Sequence, residues 1–258
     1  MGSELHEAAA QGFPGAAASY EAGRPTYPPE AVARLARELH LGTGRAVLDL
    51  AAGTGKLTAL LVVTGSEVVA VEPVAEMRAV LEAALPGVRA LPGTAEAIPL
   101  GSGTVDAVTV GQAFHWFRGD EALREIHRVL RPGGGLGLLW NVRDTSVPWV
   151  ARLSELMEPH RRDAPAYRSS AWREAFERTT LFEKLGHAAA GLVHRLPPEG
   201  VVARVASVSF VAALPEGERE AVLMEVRNLL ATDPQTRGRD EIELPYRTDA
   251  FWTRARGV

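Results

Sequence analysis

The sequence has 258 residues, of which 46% are hydrophobic and 23% are charged, a composition typical of a globular protein with a sizeable core. The net charge of −4, without any block of lysines and arginines, argues against nucleic-acid binding. The chain has no cysteine and no apolar stretch of the roughly 18 residues that a membrane span needs, so we expect a cytoplasmic protein without disulfides or thiolate metal sites.

The first half of the chain alternates between predicted helices and strands. The pattern predicts helices at 28–40, 54–65, 74–85 and 120–134. It predicts buried strands at 45–52, 67–73, 87–93, 104–114 and 135–141. Such alternation predicts a doubly wound α/β fold, in which a parallel sheet is covered by helices on both faces.

The second half of the chain has a different pattern. It predicts helices at 147–160, 171–180, 198–214 and 215–232 and strands at 188–197 and 240–256. We expect this half to complete the sheet and to add a helical cap over the strand ends, which would form a substrate region.

The stretch DLAAGTGKLT, residues 49–58, places two glycines between the first strand and the next helix. Glycine lets a backbone approach a ligand closely, and ligands of doubly wound sheets bind beyond the strand ends. The third glycine of a dinucleotide-binding turn is missing, because Thr58 stands in its place. The turn alone does not decide between nicotinamide, flavin and S-adenosylmethionine.

Two acidic residues narrow the choice of cofactor. Asp49 lies in the first strand, where it would repel a pyrophosphate but suit the positively charged sulfonium and ammonium groups of S-adenosylmethionine. An alternative is that Asp49 orders the loop through backbone hydrogen bonds. Glu72, at the end of the second strand, is placed to accept both hydroxyls of a ribose, as in nicotinamide and S-adenosylmethionine enzymes alike. The alternative for Glu72 is a solvated acid at a strand end.

Five motifs in chain order resemble those of the class I S-adenosylmethionine-dependent methyltransferases. They are VLDLAAGTGKLT, VVAVEPVAEM, GTAEAIPL, TVDAVTVGQAFHWF and VLRPGGGLGLLWN, which together cover about residues 45–141. One departure is Ala51, which replaces the usual glycine of the first motif. The resemblance implies a mostly parallel, seven-stranded, Rossmann-like sheet with an antiparallel last strand.

The same resemblance implies which residues bind S-adenosylmethionine and its product, S-adenosylhomocysteine. Glu72 would bind the ribose, Met77 would lie against the adenine, and Ala95 and Glu96 would flank the adenine edge. The full expected cofactor set is Tyr20, Arg24, Asp49, Ala51, Gly53, Thr54, Gly55, Glu72, Pro73, Met77, Thr94, Ala95, Glu96, Gln112 and Ala113.

The segments SYEAGRPTYP and FHWF look like a subgroup of small-molecule methyltransferases that includes the trans-aconitate methyltransferase-like enzymes. In that subgroup the N-terminal segment folds over the cofactor. By this resemblance Arg24 would pair with the carboxylate of the methionine moiety, and Tyr20 would help to close the site. We therefore expect residues 1–27 to form a mobile lid, 28–144 a cofactor-binding core, 145–235 the cap and 236–258 the last strand of a single domain.

His115 is the candidate catalytic residue, because it follows the fourth strand at the edge of the sheet where ligands bind. It could act as a general base for a hydroxyl, orient a carboxylate that needs no base, or serve a structural role. Trp116, Trp140 and Asn141 are expected to form the substrate pocket with it. The other histidines show no spacing typical of metal ligands, so no metal is expected.

The sequence therefore predicts an enzyme that methylates a small molecule, on a carboxylate or a hydroxyl. The alternatives are a non-catalytic cofactor-binding protein and, less favoured, a nicotinamide-dependent oxidoreductase. The expected partner is a small-molecule substrate, with neither nucleic acid nor membrane. The sequence does not indicate an oligomeric state.

Overall fold

The computed structural model describes residues 24–162, 164–165, 167–169 and 171–257, and its first half repeats strands followed by helices. The five strands of this half are β1 Ala46–Leu50, β2 Glu67–Val71, β3 Arg89–Leu91, β4 Val105–Gly111 and β5 Leu130–Arg143. The helices are α1 Pro29–Leu39, α2 Lys56–Val63, α3 Ala75–Ala84 and α4 Gly119–Val129. One turn of 3₁₀ helix, Phe114–Trp116, follows β4.

The second half adds the helical cap and two further strands. Its helices are α5 Pro148–Met157, α6 Ala171–Arg178, α7 Pro198–Ala206, α8 Ser209–Ala212 and α9 Glu216–Thr232, with a 3₁₀ turn at Glu158–His160. Its strands are β6 Gly186–Leu196 and β7 Ile242–Arg254. Within the described residues, no helix combines the length and the apolar character that crossing a membrane requires.

All seven strands form one sheet with the order β3-β2-β1-β4-β5-β7-β6. Strands β1 to β5 pair in parallel, whereas β7 runs antiparallel to both β5 and β6. This arrangement confirms the predicted doubly wound, seven-stranded fold with an antiparallel last strand. Because β4 and β5 are neighbours, with Gly111 opposite Leu139, the residues that follow β4 lie beside those that end β5.

The core has a sheet part and a cap part. The sheet part includes the fully buried Leu48, Val108 and Leu138 from adjacent strands. The cap has its own cluster, in which the helices α5, α7 and α9 contribute residues such as Leu153, Val201 and Val226. The cap is therefore a packed unit over the sheet edge rather than a set of separate loops.

Several predicted boundaries differ from the structure. The helix predicted at 120–134 ends at Val129, and the residues after it, including Pro132, belong to β5. The pairing of β5 with β4 shifts register at this point. The missing N–H of Pro132 therefore removes no hydrogen bond from a regularly paired part of the sheet. The helix predicted at 198–214 is interrupted at 207–208 and becomes α7 and α8. The predicted cap region, 145–235, also contains β6, which belongs to the sheet.

Candidate functional site

A cavity of about 450 Å³ lies at the carboxyl ends of the parallel strands, with the cap above it. Its size falls in the range of about 300–1,000 Å³ that is typical of small-molecule pockets. On its sheet side it is lined by Ala51, Gly53, Glu72, Pro73, Met77, Thr94, Ala95, Glu96, Gln112 and Ala113. Chain order alone explains this grouping, since these residues follow the ends of β1 to β4.

The backbone at this edge adopts unusual conformations. Ala51 has a φ of 57° and Gln112 a φ of 59°, a left-handed region that residues other than glycine rarely occupy. Both residues line the cavity and directly follow the ends of neighbouring strands. Gly53 also has a positive φ, 59°. Strained residues of this kind cluster at functional sites, which marks these strand ends as the candidate site.

Glu72 fastens the turn after β1 to the end of β2. Its side chain is 4% exposed, and its two oxygens accept the backbone N–H groups of Gly53 at 2.8 Å and of Val74 at 2.9 Å. Burial raises the pKa of Glu72, and these two hydrogen bonds oppose that rise. A carboxylate has about four acceptor positions, so Glu72 keeps the capacity to accept two hydroxyls from a ligand.

Asp49 is 1% exposed and lies deeper in the sheet than Glu72. It accepts hydrogen bonds from the hydroxyls of Thr58, at 2.6 Å, and Thr109, at 3.3 Å. Burial raises the pKa of Asp49 to about 7 despite these bonds, and the nearby Glu72 adds to the rise. These two threonines lie on α2 and β4 and not in the loop at 51–55, and Asp49 also lines a smaller cavity that adjoins the first.

The remaining predicted cofactor residues are distributed unequally. Thr54, like Asp49, lines only the smaller cavity. Gly55 lines neither cavity. A methyl group there would lie 2.9 Å from Cγ of Leu81, so Gly55 instead allows α3 to pack closely on the start of α2. Tyr20 lies outside the described residues.

Arg24 belongs to the predicted lid, residues 1–27, and is its first described residue, because residues 1–23 lie outside the described part of the chain. It lines both cavities, and its guanidinium donates a hydrogen bond of 3.2 Å to the backbone oxygen of Ser207 in the cap. The adjacent segment is tied to the sheet, because Asn141 donates a hydrogen bond of 2.9 Å to the backbone oxygen of Thr26. Arg24 therefore lies between the sheet side of the cavity and the cap.

The predicted substrate residues meet at the junction of sheet and cap. His115, Trp116, Trp140 and Asn141 all line the larger cavity. The indole Nε1–H of Trp140 donates a hydrogen bond of 3.1 Å to Nδ1 of His115. Burial, together with the positive charges of Arg161 and Arg24, lowers the pKa of His115 to about 3. His115 is therefore neutral across the physiological pH range.

The cap side of the cavity carries a group of four arginines that the sequence analysis missed. Arg143 ends β5, and the other three come from the cap, against one lining carboxylate on this side. The group, which we call the cap arginines, consists of Arg143, Arg161, Arg168 and Arg204, and the carboxylate is Glu158. The one local signal was the run HRRDAPAYR, residues 160–168, which is rich in arginine without helical periodicity.

Arg143 is a half-buried cap arginine at the end of β5. Its Nε–H donates to the hydroxyl of Ser154 at 3.1 Å. Desolvation lowers the pKa of Arg143 to about 10, Tyr246 opposes this effect, and the neighbouring arginines reinforce it. Glu158 is bound instead by Arg161, with Nε–H donating to Oε1 at 2.9 Å. Among the residues that the structure describes, Arg143 thus forms no ion pair with a carboxylate of its own, which suits an anionic ligand.

The described residues contain no group of three or more histidine, aspartate or glutamate side chains placed to hold a metal ion.

Comparisons with known proteins show which family the sequence and the fold resemble. Residues 48–138 match the family model described as a methyltransferase domain. The chain is 44% identical over 239 residues, 92% of each chain, to an uncharacterized methyltransferase of Mycobacterium tuberculosis. It is 40% identical over 235 residues, 91% of each chain, to an uncharacterized methyltransferase-like protein of Schizosaccharomyces pombe. The structure of the YcgJ protein from Bacillus subtilis has the same fold, with a TM-score of 0.59, 19% identity and coverage of 89% of this chain and 99% of that chain.

Proposed function

The chain belongs to the methyltransferase family, and on that premise we propose that it transfers the methyl group of S-adenosylmethionine to a small molecule that carries a carboxylate. The proposal gives the two sides of the cavity different tasks. The sheet side, within residues 28–144, holds the methyl donor together with Arg24, and the cap within 145–235 holds the acceptor together with His115 and Arg143.

The residues on the sheet side fit S-adenosylmethionine. Glu72 has free acceptor positions for the two ribose hydroxyls, and the buried Met77 and Ala95 offer apolar contact for the adenine ring. The turn at 51–55 brings backbone close to the cavity, and Arg24, which lines both cavities, would pair with the carboxylate of the methionine moiety. When bound, S-adenosylmethionine supplies a methyl group on a positively charged sulfur that is a good leaving group.

The cap arginines carry the proposal for the acceptor. Four guanidinium groups face one carboxylate in this part of the wall, and Arg143 is kept charged in an enclosed position. Keeping such a charge away from water is unfavourable unless an anion compensates for it. A carboxylate-bearing acceptor would provide that compensation, and guanidinium groups match the planar geometry of a carboxylate.

The proposed reaction needs no proton transfer when the acceptor is a carboxylate. An oxygen of the acceptor forms the new O–C bond while the C–S bond breaks, and the electron pair of that bond stays on sulfur. The products are a neutral methyl ester and S-adenosylhomocysteine. The contribution of the protein is then to align the two reactants and to exclude water, as expected for an in-line displacement.

The direct test uses purified protein, S-adenosylmethionine labelled in the methyl group, and a panel of small mono-, di- and tricarboxylic acids. Each acid is paired with its amide, and phenols and amines complete the panel. We expect label transfer to acids and none to the matched amides. Calorimetry with S-adenosylhomocysteine and with NAD provides the second measurement, and binding of NAD but not of S-adenosylhomocysteine would contradict the proposed donor.

Substitution of Glu72 with glutamine should weaken the binding of S-adenosylhomocysteine by about 1–3 kcal/mol, the scale of hydrogen bonds to a charged group. A glutamine has only one oxygen, so it cannot accept the backbone N–H groups of both Gly53 and Val74 as well as two ribose hydroxyls. Calorimetric titration measures the change. Glu76→Gln, an exposed acid on α3, is the control and should bind like the unaltered protein. Equal affinities for both variants would show that Glu72 does not bind the ribose.

The pKa of Asp49 makes a prediction about stability. Because burial raises this pKa from 3.8 to about 7, the folded chain keeps a proton that the unfolded chain has already lost at pH 5. The contribution of Asp49 to stability is therefore complete below about pH 4 and falls as the pH rises to about 7. In Asp49→Asn this loss is absent. The free energy of unfolding of Asp49→Asn minus that of the unaltered protein should therefore increase by about 2–3 kcal/mol from pH 5 to pH 8.

Chemical denaturation of both proteins across this pH range measures that shift in the absence of cofactor. Comparison of the two proteins removes the contributions of the other titrating groups, which are common to both. Parallel stability curves would mean that Asp49 is ionised at pH 5 in the folded protein.

A further inference from the structure

We infer that His115 serves the proposed reaction as a neutral hydrogen-bond donor with its proton on Nε2, and that Trp140 holds it in this state. This assignment excludes the role of general base and gives His115 a binding role toward an oxygen of the acceptor. The acceptor-binding part rests on the proposed function, whereas the position of the proton does not.

The hydrogen bond between Trp140 and His115 determines which nitrogen carries the proton. The indole N–H can only donate, so the nitrogen of His115 that receives it, Nδ1 at 3.1 Å, must present a lone pair. A neutral imidazole has one N–H, which is then on Nε2. Protonation of Nδ1 would place two N–H groups against each other and break this bond.

Trp140 cannot turn away to release His115, because its ring is held on several sides. It is 1% exposed, and its ring centroid lies 4.5 Å from that of Trp172 and 4.9 Å from that of Tyr167. Phe251 packs edge-on against it at 5.9 Å. The direction of the indole N–H is therefore fixed by the aromatic core, and Trp140 acts as a positioning residue for His115.

The Nε2 side of His115 is the side that remains available to a ligand. His115 lines the cavity, and Nε2 has no hydrogen-bond partner among the described residues. The charged and titratable groups that line the cavity with it are Arg24, Glu72, Glu96, Arg118, Arg143, Glu158, Arg161, Tyr167, Arg168, Arg204 and Tyr246. Of these, Arg161 and Arg24 act on the ring, and their positive charges disfavour a protonated imidazole.

These constraints make His115 selective for acceptors that arrive as anions. An Nε2–H donor can bind a carboxylate oxygen and leave another lone pair of the acceptor to attack the methyl group. It cannot remove a proton, because its one lone pair is occupied by Trp140. A neutral alcohol would need a base that His115 does not provide, so we expect this site to favour carboxylic acids over alcohols.

The state of the proton can be measured without any acceptor, in the full-length free protein labelled with ¹⁵N-histidine. Long-range ¹H–¹⁵N NMR distinguishes the two neutral forms and the protonated form of each of the seven histidines. The signal that disappears in His115→Asn belongs to His115. We expect the Nε2–H form, unchanged from pH 5 to pH 8. An Nδ1–H form, or titration within this range, would overturn the inference.

Two substitutions of His115 then separate the donor role from the base role. Asparagine can accept the indole N–H through its oxygen and donate through its amide, but it cannot act as a base. We expect His115→Asn to retain a larger share of kcat/KM than His115→Ala, which should lose about 10- to 100-fold, the effect of one hydrogen bond to a charged group. The pH profiles of the unaltered protein and of His115→Asn should have the same shape.

A general base would give a different result. His115→Asn would then be as inactive as His115→Ala, and the unaltered protein would show an acidic limb that the variant lacks, which would overturn the inference. Affinity for S-adenosylhomocysteine and thermal unfolding show that each variant remains folded. If no carboxylic acid is methylated, the proposed function fails, and the NMR measurement still decides the position of the proton.

Discussion

Replacement of Arg143 with leucine is expected to lower kcat/KM for a carboxylate acceptor by about 10²–10³-fold, the effect of removing one partner from an enclosed charge pair. The loss should arise mainly in acceptor binding, because Arg143 lies on the cap side of the cavity, away from Glu72 and Met77. Affinity for S-adenosylhomocysteine should therefore stay the same. Steady-state kinetics and calorimetry measure the two effects separately.

The same substitution should leave the free protein at least as stable as before. Desolvation already lowers the pKa of Arg143 to about 10, which means that the fold disfavours its charge. Leucine removes that unfavourable charge, and the hydroxyl of Ser154 still donates to the backbone oxygen of Val150. A loss of activity combined with a gain in stability would show that Arg143 is retained for ligand binding rather than for folding.

Two further variants serve as controls for Arg143→Leu. Arg143→Lys keeps the charge but loses the planar pair of donors, so its activity should be intermediate. Arg239→Leu removes an exposed arginine far from the cavity and should change neither activity nor affinity. If Arg143→Leu stays fully active on the best acid of the panel, the cap arginines do not bind the acceptor.

Replacement of Trp172 with alanine is expected to lower the free energy of unfolding by about 3–5 kcal/mol, the usual cost of removing a large aromatic residue from a core. Trp172 is buried, and its ring contacts those of Trp140 and Phe251, with centroid distances of 4.5 Å and 5.2 Å. Its indole N–H donates to the backbone oxygen of Tyr167 at 2.9 Å. Trp172 thus joins α6 and the preceding loop to the sheet.

Trp172→Phe is the matched variant, because it keeps a ring but loses the bond to the backbone of Tyr167. Its cost should be smaller, about 1–2 kcal/mol. Denaturant titration gives both values. A loss below about 1 kcal/mol for the alanine variant would mean that the aromatic cluster does not hold the cap in place.

The fold was predictable from the sequence because its signals are local. The strands β1, β2 and β4 are short apolar runs, and each is followed by a turn and a helix at a short distance. Doubly wound sheets follow from that alternation alone. The antiparallel β7, by contrast, came from the resemblance to a family, since its partner β6 lies about 50 residues before it and no local pattern links the two.

The candidate site was predictable on one side only. The side that we assign to the methyl donor is composed of residues just after strand ends, which a parallel sheet brings to one edge. The cap arginines converge from separate elements, so no spacing in the sequence indicated their meeting. The contact between His115 and Trp140 was predictable in part. Both residues were expected in the pocket from their positions after β4 and near the end of β5, but the hydrogen bond between them and its direction could be found only from the coordinates.

The two walls of the cavity are encoded in separate stretches of the chain. Every lining residue on the sheet side that we assign to the methyl donor precedes residue 114, and the four cap arginines all lie between 143 and 204. With this division of roles, substitutions in one stretch can change the choice of acceptor while the binding of the methyl donor is kept. After a gene duplication, drift confined to the second stretch would change which acid is esterified while the chemistry of the reaction is inherited intact. Members of such a lineage would diversify in their products and remain uniform in their cofactor.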